Sequence, residues 1–173
     1  MGLSSIICSV LLSSGMYNAE IACKHMDTVV EAAQENNIPV EILHALIYTE
    51  SSWKPTAVSR AGACGLTQVM PKYTGGKSTG GVKYTCKQLT SDPRLSIKVG
   101  AKIYRYWLTN YARCRSSKCR RHHHEIALCG YNAGYRCKGE TPIKSGVNYA
   151  KTVLWRAKKL TYKINKAKTK MGQ

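Results

Sequence analysis

Residues 40–71 read VEILHALIYTESSWKPTAVSRAGACGLTQVMP, and the rest of the chain is best understood from this stretch. Its first eleven residues place apolar side chains at 43, 46 and 47, the spacing of one buried stripe on an α-helix. Pro39, just before, suits the first turn of such a helix, where an N–H would have no partner anyway. The next position on the stripe is 50, and it is a glutamate. After Glu50 the helical period stops. Ser, Gly, Thr and Pro punctuate residues 51–92, with one short apolar run from Leu66 to Met70. The pattern predicts a helix that delivers a carboxylate to the edge of a long loop-rich segment.

On both sides of this stretch helical signals dominate. MDTVVEAAQEN (26–36) is a short amphipathic helix, stopped by Asn36, Asn37 and the Ile38-Pro39 pair. Asp92 is placed as N-cap and Pro93 as first residue of another helix, with Leu95, Val99, Ile103 and Trp107 on one stripe. ARCRSSKCRR (112–121) is a basic connection. HEIALCGYN then reads as a helix that breaks at Asn132-Ala133-Gly134, and a last helix runs from about Val147 to Leu160. Residues 161–173 are Lys-rich and read as a frayed tail. No set of alternating strands remains, so the fold is expected to be mainly α.

The glycine-rich TGGKSTGG (74–81) is not a phosphate loop. Pro71 stands where its first glycine should be, and no buried strand precedes it. A surface loop is expected there.

With 173 residues, 43% apolar and 21% charged, the chain is long enough for one domain with a real core and too ordinary in composition to be disordered. Its formal charge of +18 is unevenly placed. Residues 1–92 hold equal numbers of basic and acidic side chains, whereas residues 93–173 are strongly basic, with Glu125 and Glu140 their sole acids. Nucleic acid, an anionic membrane and an acidic wall polymer all suit that half as partners.

Eight cysteines point to disulfides and an oxidising compartment. Before the first charge, Glu20, runs GLSSIICSVLLSSGM, of signal-peptide length, with cleavage after Gly15 or Ala19. A buried first helix and an uncleaved anchor are the alternatives. The division expected is a leader at 1–19, one domain at 20–160 and a basic tail at 161–173. Loss of the leader would remove Cys8 and leave at least one thiol unpaired.

A carboxylate on an apolar stripe is costly unless it is used or paired. Burial raises its pKa, so Glu50 can hold a proton near neutral pH and donate it as a general acid. The alternative is a helix-end glutamate that reaches water. The residues that follow separate the two. Glu50, Ser51, Trp53, Pro55, Ser59, Gly62, Gly65, Leu66, Gln68, Met70 and Pro71 stand at the spacing of a motif that resembles the signature of the Slt-type lytic transglycosylases, in the lysozyme-like superfamily. CGYNAG (129–134) is similar to that family's A-Y-N-A-G block, and NYAKTVL (148–154) to its closing Tyr-bearing helix. Thr67 stands where Met is usual and Gly130 where Ala is usual. No acid lies between Glu140 and Tyr149, where many members place one.

The resemblance implies a lysozyme-like single domain that cuts the β-1,4 bond between N-acetylmuramic acid and N-acetylglucosamine in peptidoglycan, leaving a 1,6-anhydro end. It makes Glu50 the acid and then the base. It places Ser59 and Gln68 on the substrate, Tyr131 and Asn132 beside Glu50, and Tyr149 over its carboxyl. Gly65, Leu66 and Gly134 would be structural. Ordinary glycosidases flank the bond with two carboxylates. Here Glu41 is nine residues back, about 13 Å along a helix, and no acid follows within forty residues. A hydrolytic muramidase, a non-catalytic wall-binding module and a nucleic-acid binder are the alternatives.

His122, His123 and His124, near Cys114 and Cys119, match no standard zinc spacing, so neither metal nor cofactor is expected. Cys129 and Cys137 flank the Y-N-A-G break and could clamp it, and Cys64 is read as the unpaired thiol. The partners expected are peptidoglycan strands and anionic wall polymers, with no specific nucleic acid, for an exported monomer. A bacterial envelope enzyme, a helper of a secretion or conjugation machine and a phage enzyme all fit.

Overall fold

The computed structural model describes residues 2–112, 123–138, 142–170 and 172. Eight α-helices carry them: α1 Leu3–Ser13, α2 Ala19–Lys24, α3 Met26–Glu35, α4 Val40–Ser51, α5 Cys86–Ser91, α6 Pro93–Asn110, α7 His123–Ala133 and α8 Lys144–Lys170. Among the described residues there are isolated bridges, Val58 with Cys64 and Cys64 with Val69, and no longer strand. The fold is mainly α.

The helix α4 is the axis of the molecule. Apart from Glu41, its residues from Val40 to Ile47 are buried, and its Leu43, Leu46 and Ile47 join Leu128 of α7 and Val153 of α8 in one core. The long α8 lies along both α4 and α7, α7 packs on α6, and α6 on α3. The core face of α6 is broader than the stripe read from its sequence. Ile97, Ala101 and Tyr104 face the main core, while Leu95, Val99 and Ile103 pack with Val69 and Leu89 in a smaller cluster beneath the loop segment.

Two consecutive residues in the left-handed region end α4, Ser52 (φ 50°) and Trp53 (φ 64°). Such angles are costly for side-chain-bearing residues. Two contacts hold them: the Trp53 indole is fully buried, and Asn18 Nδ2 donates to the Ser52 carbonyl at 2.8 Å. Helix α4 therefore stops one residue after Glu50, and the chain turns away.

The loop-rich segment 51–92 contains a short helix that its sequence reading did not separate out. Cys86–Ser91 is helical, begun by a capping box in which Thr85 and Gln88 satisfy each other's backbone N–H groups. The TGGKSTGG loop is knitted by Gly75 N to Val82 O at 2.9 Å and by Tyr84 N to Thr74 Oγ1 at 2.9 Å. The frayed tail is corrected, because α8 continues to Lys170. Leu160, Ile164 and Ala167 prolong its apolar stripe at helical spacing, and Ile164 is buried.

Residues 3–13, read as part of a leader, form a helix whose Ile6, Ile7, Val10 and Leu11 are buried in the main core. α1 packs against α2, α3 and α8.

Candidate active site

Glu50 occupies the last turn of α4, half-buried, with its carboxyl directed at α8. There Tyr149 donates its hydroxyl to Glu50 Oε1 at 2.5 Å. Two influences act on the acid. Burial raises its pKa from 4.5 to about 7, and the Tyr149 hydrogen bond, which favours the ionised form, holds it from going higher. No charged group among the described residues contributes to the shift. The Tyr149 and Tyr131 hydroxyls are both pushed upward, by burial first and by the nearby Glu50 second, so both remain neutral hydrogen-bond groups.

The loop segment reaches the same place through Thr67. Tyr131, on α7, donates to the Thr67 carbonyl at 2.7 Å. The Thr67 hydroxyl in turn donates to Ser96 O of α6 at 2.7 Å, and Ser51 Oγ ties the end of α4 to Leu66 O at 2.8 Å. Thr67 and Ser96 are fully buried. Three helices thus fix the adjacent loop residues Leu66 and Thr67, and Gln68 follows them.

Gln68 sits at φ 49°, and its amide nitrogen donates to Ala57 O at 3.0 Å and Gly65 O at 2.9 Å. Its nitrogen is committed to holding the loop, which leaves its carbonyl oxygen as the group able to address a ligand. Ser59 Oγ accepts from Ala63 N at 3.0 Å and closes a tight turn. Gly65, at φ 77°, has no room for a side chain, since a Cβ would run into the Leu89 carbonyl and Ser96 Oγ. Leu66 is fully buried, and Gly134 takes φ 63° where α7 ends.

The structure brings Glu50, Tyr131 and Tyr149 together and links Gln68 to them through Thr67. Ser59 is joined to the group by loop backbone alone, and Asn132 lies next to Tyr131 with its side chain exposed. Glu140, the nearest acid before Tyr149, lies outside the described residues, as do Cys114, Cys119 and His122. His124 Nδ1 is hydrogen-bonded to Tyr104 Oη at 2.6 Å.

Cys129 and Cys137 are joined, so the clamp across the Y-N-A-G break is present. Cys64 is not the unpaired thiol. It is bonded to Cys86, and the free cysteines among the described residues are Cys8 and Cys23. The reason is tertiary: α5 packs against the loop segment and sets Cys86, at its first turn, opposite the G-A-C-G turn. Thr67, Ser96 and Trp107 were not singled out as site residues from the sequence. Thr67 carried a faint signal as a polar residue inside an apolar run. Trp107 explains Gly130, whose place beneath the indole ring leaves no space for a Cβ.

Three comparisons bear on this arrangement. The family model described as the transglycosylase SLT domain matches residues 27–152. A membrane-bound lytic murein transglycosylase C from Edwardsiella ictaluri is 43% identical over 56 residues, covering 32% of this chain and 15% of that protein. An inactive mutant of the lytic transglycosylase Slt from Pseudomonas aeruginosa superposes with a TM-score of 0.65 at 20% identity, over 91% of this chain and 30% of that one. The 70 kDa soluble lytic transglycosylase from Escherichia coli gives 0.62 at 18%, over 92% and 30%. The chain therefore spans under a third of the length of each of these proteins.

Proposed function

We propose that this chain, which belongs to the transglycosylase SLT domain family, is a peptidoglycan lytic transglycosylase of the cell envelope that works with a single carboxylic acid, Glu50. The observation that carries the reading is the state of that acid: burial raises it to about 7, and a neutral tyrosine holds one of its oxygens. A carboxyl in that range is protonated often enough to act as an acid and ionised easily enough to act next as a base.

The steps follow from those two states. Protonated Glu50 gives its proton to the glycosidic oxygen between N-acetylmuramic acid and N-acetylglucosamine, and the bond to the muramoyl anomeric carbon breaks. The substrate's own 2-acetamido group can assist at that carbon. The carboxylate left behind, steadied by Tyr149, takes the proton of the muramoyl 6-hydroxyl as that oxygen closes a 1,6-anhydro ring. The proton returns to Glu50, and no water is consumed. A route that uses the sugar as its own nucleophile needs only this one carboxyl, whereas hydrolysis by the two-carboxylate route needs a second acid across the bond. The Gln68 carbonyl oxygen and Asn132 are assigned to the acetamido groups, and Ser59 to holding the turn that presents Gln68.

Two disulfides and the name of the Edwardsiella relative support an envelope location after export. Mass spectrometry of peptidoglycan digested by the protein tests the proposal. Muropeptides ending in 1,6-anhydro-muramic acid are expected. Reducing muramic ends alone would make the protein a muramidase, and intact glycan with retained binding would make it a wall-binding module.

A further inference from the structure

We propose that the outward face of α8 docks this protein onto an anionic membrane surface. The helix is 27 residues long, about 40 Å at 1.5 Å per residue, and it contains no Asp or Glu. Its buried stripe is Gly146, Ala150, Val153, Ala157, Leu160 and Ile164. At about 100° per residue, Trp155 and Tyr162 fall on the opposite line, seven residues apart. Both are exposed, at 56% and 68%. Lys144, Lys151, Lys158, Lys159, Lys166 and Lys170 flank that line over the length of the helix, and all are exposed. Lys159 Nζ stands over the Trp155 ring, 3.8 Å from its centre.

A solvated lysine face would need no aromatic rings along its middle. Charge complementarity alone leaves several polyanions in play, and the two rings select among them. Trp and Tyr, with an apolar body and a polar tip, settle at the level of lipid headgroups, while lysines beside them meet anionic phosphates. At one edge of the face, a cavity of about 120 Å³ lined by Leu11, Met16, Ala45 and Leu160 opens between Lys159 and Lys163, adding apolar surface under a cationic rim. Tyr149 is about 120° round the helix from Trp155, so the docking face and the Glu50 contact lie on different sides of α8.

Co-sedimentation of the full chain with lipid vesicles is the test. Binding is expected to phosphatidylcholine vesicles containing phosphatidylglycerol and not to phosphatidylcholine alone, with a blue-shifted tryptophan emission. Replacing Lys151, Lys158, Lys159 and Lys166 with Gln should weaken binding by roughly fivefold per charge removed. Trp155→Ala with Tyr162→Ala should weaken it several-fold and abolish the blue shift, at unchanged charge. These side chains are exposed, and an unaltered melting temperature would show that the variants fold. Equal binding to both vesicle types, no binding to either, an aromatic double variant that binds as tightly as the parent, or displacement from vesicles by equal charge of duplex DNA or teichoic acid would each overturn the proposal. Glu50→Gln should bind vesicles as the parent does, so the result stands or falls independently of the glycan-cleaving reading.

Discussion

Tyr149 and Glu50, 99 residues apart in the chain, meet at 2.5 Å where α8 crosses the end of α4. The tyrosine is held by the core, and its hydroxyl points at the carboxyl of Glu50. Its hydrogen bond stabilises the ionised acid against the burial that favours the neutral one. Removing it by Tyr149→Phe should therefore raise the Glu50 pKa further. A hydrogen bond to a charged group is worth about 1.5–3 kcal/mol, which corresponds to roughly one to two pH units. The alkaline limb of the pH profile of glycan cleavage should move upward by about that much, and turnover should drop as the returning carboxylate loses its support. A profile of reduced height with an unmoved limb would mean that Tyr149 only fills space.

Glu50→Gln removes the proton shuttle, so no anhydro product should form, yet the fold should gain. The folded chain binds the Glu50 proton more tightly than the unfolded one, with a pKa of about 7 against 4.5. Its stabilising contribution is complete below about pH 4.5 and is lost as pH rises through about 7. By pH 8 the ionised, buried acid costs about 3 kcal/mol relative to low pH. Urea unfolding of parent and variant at pH 4 and pH 8 measures this, and the variant's advantage should grow by about that amount with pH. His44, buried and lowered to about 4, works in the other direction, losing stability as pH falls from its usual 6.5. It is common to both proteins and cancels in their difference. An advantage independent of pH would place Glu50 in contact with bulk water.

Gly130 and Trp107 are a matched pair, the glycine leaving the space that the indole ring fills. Gly130→Ala, which restores the residue usual in the family motif, should destabilise the protein by about 1–3 kcal/mol through overpacking. Trp107→Leu in the same chain should recover part of that loss. Thermal melts of the two single variants and the double variant form the cycle, and simple additivity would show that the two positions do not touch.

Much of the site was legible because it is local. Glu50 on the apolar stripe, the backbone demand met by Gly65 and the break at Gly134 each follow from spacing or backbone demands within a few residues, whereas Ser59, expected on the substrate, closes a turn with Ala63. What stayed hidden depends on distant partners. The Cys64 pairing needed α5 to be recognised as a helix, although Thr85 and Gln88 stood at capping-box spacing. Gln68 looked like a substrate ligand, and its amide nitrogen turned out to be occupied by Ala57 and Gly65. The end of α8 was obscured by its lysines: their density suggested a frayed tail, while Leu160 and Ile164 kept the helical period that anchors it.

The helix α1 offers the last test. Its Ile6, Ile7, Val10 and Leu11 are buried against α2, α3 and α8, although the same residues read as a leader. Each such side chain is worth about 1.5–3 kcal/mol when shielded from water, so together they rival the 5–15 kcal/mol by which a typical domain is stable. Cys8 lies within reach of Cys23 on α2, and burial, reinforced by that neighbour, pushes its thiol up to about 12. A chain lacking residues 2–15 should then lose most of its cooperative thermal transition and its protease resistance. It should expose the apolar side chains of α2, α3 and α8 against which α1 packs, and bind an apolar dye that the full chain does not. If the shortened chain instead melts within a few degrees of the full one, α1 contributes little to the core, and the reading of these residues as a dispensable leader gains the ground that the packed helix loses.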